Sequence, residues 1–493
     1  MTETVKVPAS SVPCRNLVGH QWEHGSGEAG EVRSPLTGGV IGEYRESTSG
    51  DVGNALSVAT AAAGPWAALS LKERCQVMFR FREILNRDLE ETAHTVSAES
   101  GKTLSEARAG ILKGVEVLEY ALSLQNLDIG GKMEVSSGVH CEYRREPLGV
   151  VAGITPFNFP AMVPMWMLPL AITLGNGFVW KPSEKTPLTS IRLGAALLEA
   201  GLPPGVLTIL QGGAATVEEL VKAEGIAAVA FVGSSPVARR VFAAGTSHYK
   251  RVLALGGAKN HIILMPDADP VVAADGIWAS FTGCAGQRCM AASVLLAVGD
   301  VSEVMEALVQ RARHFNLGED MGAIISSESL GRLEGAVGRA VSDGATLLVD
   351  GRSPNKPSGL EGGNWLGPCI LADVPVGSQA AREELFGPVL SVVSCSNLSE
   401  ALEIERSSPF GNAASVFTSS GLVADRVAME ASAGMVGVNI GVPVPREPFS
   451  FGGINGSKFG HGEITGNGAL GFWTNQKKIT SKWASKASEN WMS

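Results

Sequence analysis

Residues 227–244 read AAVAFVGSSPVARRVFAA. The apolar run 227–232 is too short for a buried helix and stops at Gly233, and Pro236 then opens a segment, 236–244, with apolar residues at helical spacing. The stretch predicts a buried strand, a tight glycine turn, and a helix with Ser235 as N-cap and Pro236 at its first position. The same alternation extends outward. Strands are predicted at 150–154, 177–181 and 206–210, with helices at 162–174, 191–200 (closed by Gly201) and 216–222. Short buried strands separated by helices call for a parallel, doubly wound sheet.

A second alternation runs from about 261 to 420, with strands expected at 293–298, 347–349 and 389–393. Ahead of both, 51–122 is helical, with Val77, Phe81, Ile84 and Leu85 at 3–4 spacing, and should hold two or three helices. The tail 471–483 alternates and carries Lys477, Lys478 and Lys482, as an edge strand does. The fold class is therefore α/β, with two doubly wound domains.

The 493 residues suffice for two or three sub-domains, and 45% hydrophobic against 18% charged residues excludes a disordered chain. With 40 basic and 49 acidic residues and no long single-sign run, no nucleic-acid or anionic-membrane partner is expected. Seven Cys without framework spacing predict reduced thiols in a cytosolic or organelle-matrix setting, of which a cytoplasmic one is expected. Residues 1–13 lack the apolar core of a signal peptide. The apolar stretch 161–180 is long enough to suggest a membrane span, but Pro164, Pro169, Gly175, Asn176 and Gly177 suit a helix and strand inside a core better.

Several motifs carry possible chemistry. His20-Gln21-Trp22-Glu23-His24 fits a zinc-protease spacing, yet its flanking glycines predict a strand, which cannot converge three ligands. Cys284 and Cys289 have no second pair at ligand spacing, so no metal site is expected. Cys289 stands in Gly286-Gln287-Arg288-Cys289-Met290-Ala291, a small-residue loop with a cation beside the thiol, which would favour the thiolate. In isolation, a Cys beside an Arg more often has a structural role. Gly233 and the helix after it could face a pyrophosphate, although the turn matches neither common glycine-rich phosphate motif.

The ordered set Pro156-Phe157-Asn158-Phe159-Pro160, Lys181-Pro182-Ser183-Glu184, Phe231-Val232-Gly233-Ser234, Leu255-Gly256-Gly257, Gly286-Gln287-Arg288-Cys289, Glu384-Leu385-Phe386-Gly387-Pro388 and Phe451-Gly452-Gly453 resembles the aldehyde dehydrogenase superfamily. Within it, Gly257-Ala258-Lys259-Asn260-His261, Gln287-Arg288-Cys289-Met290-Ala291, Pro443-Val444-Pro445 and Lys478-Ile479-Thr480 are similar to the CoA-acylating methylmalonate-semialdehyde dehydrogenase branch.

The resemblance implies that Cys289 is the nucleophile and that Asn158, with the Cys289 N–H, forms the oxyanion hole. It implies an NAD site in which Gly233 and Ser234 hold the pyrophosphate, Lys181 and Glu184 the adenosine ribose, Glu384 the nicotinamide ribose, and Phe386 packs near the ring, with Phe157 a further cofactor-binding residue. A carboxylate at 184 disfavours a 2′-phosphate. Hydrolytic members carry a Glu two residues before the Gly-Gly; here that position is Ala254. Without that base coenzyme A is the expected acceptor, with malonate or methylmalonate semialdehyde giving acetyl-CoA or propionyl-CoA and the lost carboxylate.

Two other outcomes stay open: a hydrolytic enzyme using a substitute base such as Glu463, or an inactive binding protein. A substrate carboxylate would meet Arg288, or Lys113, where the branch commonly has Arg; Arg446 is a third cation, more simply paired with Glu447. The implied domains are 1–131 with 150–259 for NAD, 260–470 for catalysis, and 132–149 with 471–493 as a β arm forming a homodimer or homotetramer.

Overall fold

The computed structural model describes residues 5–127 and 130–483. The apolar runs become five parallel strands at the centre of an eight-stranded sheet, in the order Arg251–Leu255, Ile226–Val232, Val150–Ile154, Gly177–Lys181, Leu207–Ile209. Every residue of Val150–Ile154 and Gly177–Lys181 is buried, as parallel strands covered on both faces must be. The chain leaves Val150–Ile154 toward one side of the sheet and returns at Ile226–Val232 on the other. A crevice therefore opens outside the carboxyl ends of these two neighbours, where open α/β sheets bind ligands.

The segment 161–180 resolves into the helix Met162–Thr173 and the strand Gly177–Lys181. The helix is buried along almost its whole length, so its sequence has no polar face. Among the described residues, no helix is long and apolar enough to cross a membrane.

A second sheet of seven strands holds Cys369–Ala372, Val389–Cys395, Ala292–Val298, Asn260–Leu264, Ala413–Phe417 and Met435–Val438 in parallel order, with Thr346–Val349 antiparallel at one edge. A third, antiparallel sheet joins Gly131–Ser136, Val139–Pro147 and Thr474–Lys482. The tail strand begins at Thr474 rather than 471, because Gly466–Trp473 is helical and buries Phe472 and Trp473.

Region 51–122 contains four helices rather than two or three: Ser49–Ala68, Leu71–Arg87, Leu89–Ser100 and Leu104–Ser123. Three of them start with capping boxes, Thr48 with Asp51, Ser70 with Glu73 and Thr103 with Glu106. The cap of Ser235–Ser247 is Ser234, one residue before the expected position. Ser235 is diverted: its hydroxyl donates to the Gly456 carbonyl at 2.9 Å and accepts from the Gly257 N–H at 2.9 Å. One hydroxyl thus ties together two glycine loops at the crevice.

Candidate active site

The carboxyl ends of the first sheet face the amino ends of the second across a cavity of about 410 Å³. The first sheet contributes Phe157 and Asn158 from the loop after Val150–Ile154, and Gly233 and Ser234 from the loop after Ile226–Val232. From loops before strands of the second sheet come Cys289, Glu384 and Phe386. Residues more than 200 positions apart thus meet because both chain reversals point at one space. A Cβ at Gly233 would run into the Phe231 ring, so the turn needs glycine to stay open. Phe157 and Phe386 pack edge to face at 5.9 Å.

The loop carrying Cys289 is wound tightly. Cys284, Ala285 and Gly286 all have left-handed φ, of 56°, 53° and 66°. A side chain at Gly286 would strike the Gly387 carbonyl. The strain is offset by anchors at both ends of the turn. Cys284 N–H donates to Glu106 Oε1 at 2.5 Å. The Gln287 side chain accepts from Ile325 N–H at 3.0 Å and donates to the Ala323 carbonyl at 3.1 Å. Asn158 Nδ2 donates to the Gln287 carbonyl at 3.0 Å, which leaves its second amide hydrogen for the cavity it lines with Cys289.

Burial pushes the Cys289 thiol up to about 12, and Glu384 adds to the rise. The main-chain N–H groups of Cys289 and Met290 and the charge of Arg288 act in the opposite direction. Arg288 thus lowers the thiol, as its place beside Cys289 suggests, but burial outweighs it. The Arg288 guanidinium turns back to donate to the Ala279 and Ser280 carbonyls, the latter at 3.0 Å, and lies against Gly283 rather than over the sulfur. It does not line the cavity.

Glu384 accepts the Ala258 N–H at 2.9 Å. Burial raises its carboxyl to about 7, against the pull of Lys259 and Arg332. Lys259 is itself buried and pushed down to about 7 by desolvation. Lys181, at the carboxyl end of the strand Gly177–Lys181, pairs with Glu184 at 3.5 Å outside the cavity lining, with burial lowering Lys181. Lys113 lies outside the cavity lining and is engaged by Glu116 at 2.9 Å and Glu447 at 3.1 Å. Arg446 is exposed and nearest Glu116, at 3.9 Å, not paired with Glu447.

Ala254 is fully buried between Phe231 and Phe459 of the neighbouring strands. Glu463 is bound to Lys458 at 2.6 Å and does not line the cavity, whose carboxylates are Glu383 and Glu384. The His20–His24 motif contains the strand Gln21–Glu23, and His20 bonds the Leu202 carbonyl at 3.1 Å. Among the described residues no group of three His, Cys, Asp or Glu side chains could hold a metal, and the Cys are free thiols.

The model of the aldehyde dehydrogenase family matches residues 22–479. The malonate-semialdehyde dehydrogenase 1 of Geobacillus kaustophilus is 40% identical over 478 residues, covering 95% of this chain and 97% of that protein. The malonate-semialdehyde dehydrogenase of Halalkalibacterium halodurans is 39% identical, covering 96% and 99%. A Sinorhizobium meliloti protein assigned as a methylmalonate-semialdehyde dehydrogenase and solved with NAD superposes with a TM-score of 0.94 at 37% identity, over 97% of this chain and 99% of that one. The methylmalonate-semialdehyde dehydrogenase of Oceanimonas doudoroffii gives 0.94 at 35% identity, over the same shares.

Proposed function

Because this chain belongs to the aldehyde dehydrogenase family, we propose roles for its residues in the reaction it carries out, the NAD-dependent, CoA-acylating oxidation of malonate or methylmalonate semialdehyde. Cys289 gives up its thiol proton to solvent, its Sγ attacks the aldehyde carbon as the thiolate, and the carbonyl electron pair moves to oxygen. The Asn158 amide and the Cys289 N–H receive that oxyanion, where charge develops as the sulfur–carbon bond forms. NAD, when bound, supplies the hydride acceptor that takes the carbon to the oxidation level of a thioester. Gly233 and Ser234 would hold its pyrophosphate, Lys181 and Glu184 its adenosine ribose, and Glu384, Phe157 and Phe386 its nicotinamide end. The open turn at Gly233 and the aromatic pair beside Cys289 fit such a ligand.

Cys289 then carries the acyl group as a thioester. Its β-carboxylate leaves as CO2, the bonding pair passing into the thioester enolate, which takes up a proton. The thiol of CoA attacks the carbonyl and displaces Cys289, its proton passing to the departing Cys289 sulfur. Arg332 and Arg339, which line the same cavity, suit the phosphates of that acceptor.

The observation that carries CoA over water is at position 254. The family's base is replaced there by a buried alanine, and Glu463 stands outside the cavity lining with one oxygen bound to Lys458. A general base is worth about 10²- to 10⁴-fold, so water attack on the thioester should be slow. The test is NADH formation from malonate semialdehyde with and without CoA. Sustained turnover that needs CoA supports the reading; equal turnover without it refutes the reading.

Lys113 and Arg288 are the cations we assign to the substrate carboxylate, and each would have to exchange its present partners for it. Residues 1–131 with 150–259 are assigned to NAD binding, 260–470 to catalysis, and 132–149 with 471–493 to a homodimer or homotetramer; 484–493 lie outside the described residues. Met133, 69% exposed on the third sheet, suits that assembly role. A cytoplasmic location completes the proposal, in keeping with the free thiols.

A further inference from the structure

The peptide link that follows the nucleophile is gripped by two side chains from distant parts of the chain. The Cys289 carbonyl oxygen accepts Asn260 Nδ2 at 2.7 Å and Asn412 Nδ2 at 2.8 Å. The two asparagines are 3% and 5% exposed. Asn260 opens the strand Asn260–Leu264, and Asn412 directly precedes Ala413–Phe417, its parallel neighbour. Asn260 Oδ1 accepts the Ala413 N–H at 3.0 Å, which fixes the amide so that its nitrogen faces Cys289. That nitrogen also donates to the Ala291 carbonyl at 3.0 Å, while Asn412 Nδ2 touches Met290 Sδ at 3.2 Å.

A carbonyl oxygen has two acceptor sites, and here both are taken. In a trans peptide the N–H points away from the C=O, so holding the Cys289 oxygen also aims the Met290 N–H. The same clamp fixes the main chain on the carboxyl side of the Cα that carries Sγ.

We propose that Asn260 and Asn412 are positioning residues for the nucleophile: by clamping the carbonyl of the Cys289–Met290 peptide they fix the main chain that carries Sγ. The clamp then acts twice, when the thiolate forms and when CoA displaces it from the thioester. Neither side chain needs to touch substrate. The inference rests on the reading of Cys289 as nucleophile. The charged groups acting on Sγ are Glu384 and Arg288, with Lys259 behind Glu384, and they are the same in every variant below.

The test is the second-order rate of Cys289 alkylation by iodoacetamide, in the absence of NAD and aldehyde, with the modified residue identified by peptide mass. Asn260→Ala and Asn412→Ala should each lower the rate at fixed neutral pH about tenfold, equivalent to one pH unit of thiolate population. The pair should be non-additive because both act through one oxygen. Asn412→Leu keeps the volume without the donor and serves if the alanine variant does not fold. Folded variants that alkylate like wild type, with activity falling only as melting temperature falls, would overturn the clamp. A Cys289→Ala enzyme that still turns over would instead overturn the nucleophile reading, a separate result.

Discussion

Replacing Asn158 by Ala separates transition-state stabilisation from nucleophile supply. One amide hydrogen of Asn158 is spent on the Gln287 carbonyl at 3.0 Å, so the side chain has one hydrogen left for the substrate oxygen. Loss of a single oxyanion donor lowers kcat by about 10²- to 10³-fold, or about 2.7–4 kcal/mol. The same change leaves the Gln287 carbonyl without that donor, which costs about 1–3 kcal/mol of stability. The assay is NADH production from malonate semialdehyde with CoA saturating, beside the alkylation rate of Cys289 and the melting temperature. The expected pattern is a hundredfold or greater loss in kcat, with alkylation changed far less. A loss below about tenfold, or a loss matched by slower alkylation, would refute the assignment of Asn158 to the oxyanion.

Three further outcomes follow from the geometry. Glu447→Gln removes the buried partner of Lys113 and should lower KM for the semialdehyde several-fold with kcat little changed, measured by initial rates; an unchanged KM would count against Lys113 as the carboxylate cation. Glu384 titrates near 7 because burial opposes its charge, so KM for NAD should fall as pH rises from 6 to 8 and the carboxylate forms, and Glu384→Gln should flatten that trend. Glu99 caps the helix Leu188–Glu199 from a distance, accepting from Leu188 N–H at 2.7 Å and Thr189 N–H at 3.0 Å, and burial raises it from 4.5 to about 8. Its folded pKa exceeds the unfolded one, so its stability contribution is full below pH 4.5 and is lost as pH rises toward 8; denaturation midpoints should fall over that window, and less in Glu99→Gln.

Much of the first sheet was legible because its strands are short apolar runs bounded by Gly and Pro, a local signal. The cavity could also be anticipated from the turn at Gly233 and the loop at Cys289, since both lie where strand order brings chain reversals together. Other features depend on contacts that no local pattern records. Arg288 precedes the nucleophile, yet its guanidinium is captured by carbonyls eight and nine residues earlier. Ser235 looks like a cap and is diverted to two glycine loops. Asn260 stands in a motif that sequence singled out, but its partner Asn412 is 152 positions later and has no nearby signature. Gln287 is similar: its anchors at Ala323 and Ile325 arise only once the second sheet is assembled.

The most direct test of the account is the intact mass of the enzyme after incubation with malonate semialdehyde and NAD, without CoA. An acyl adduct on Cys289 that persists, alongside a single burst of NADH, and is discharged as acetyl-CoA when CoA is added, is the predicted result. An unmodified enzyme accompanied by steadily accumulating free acid would contradict it.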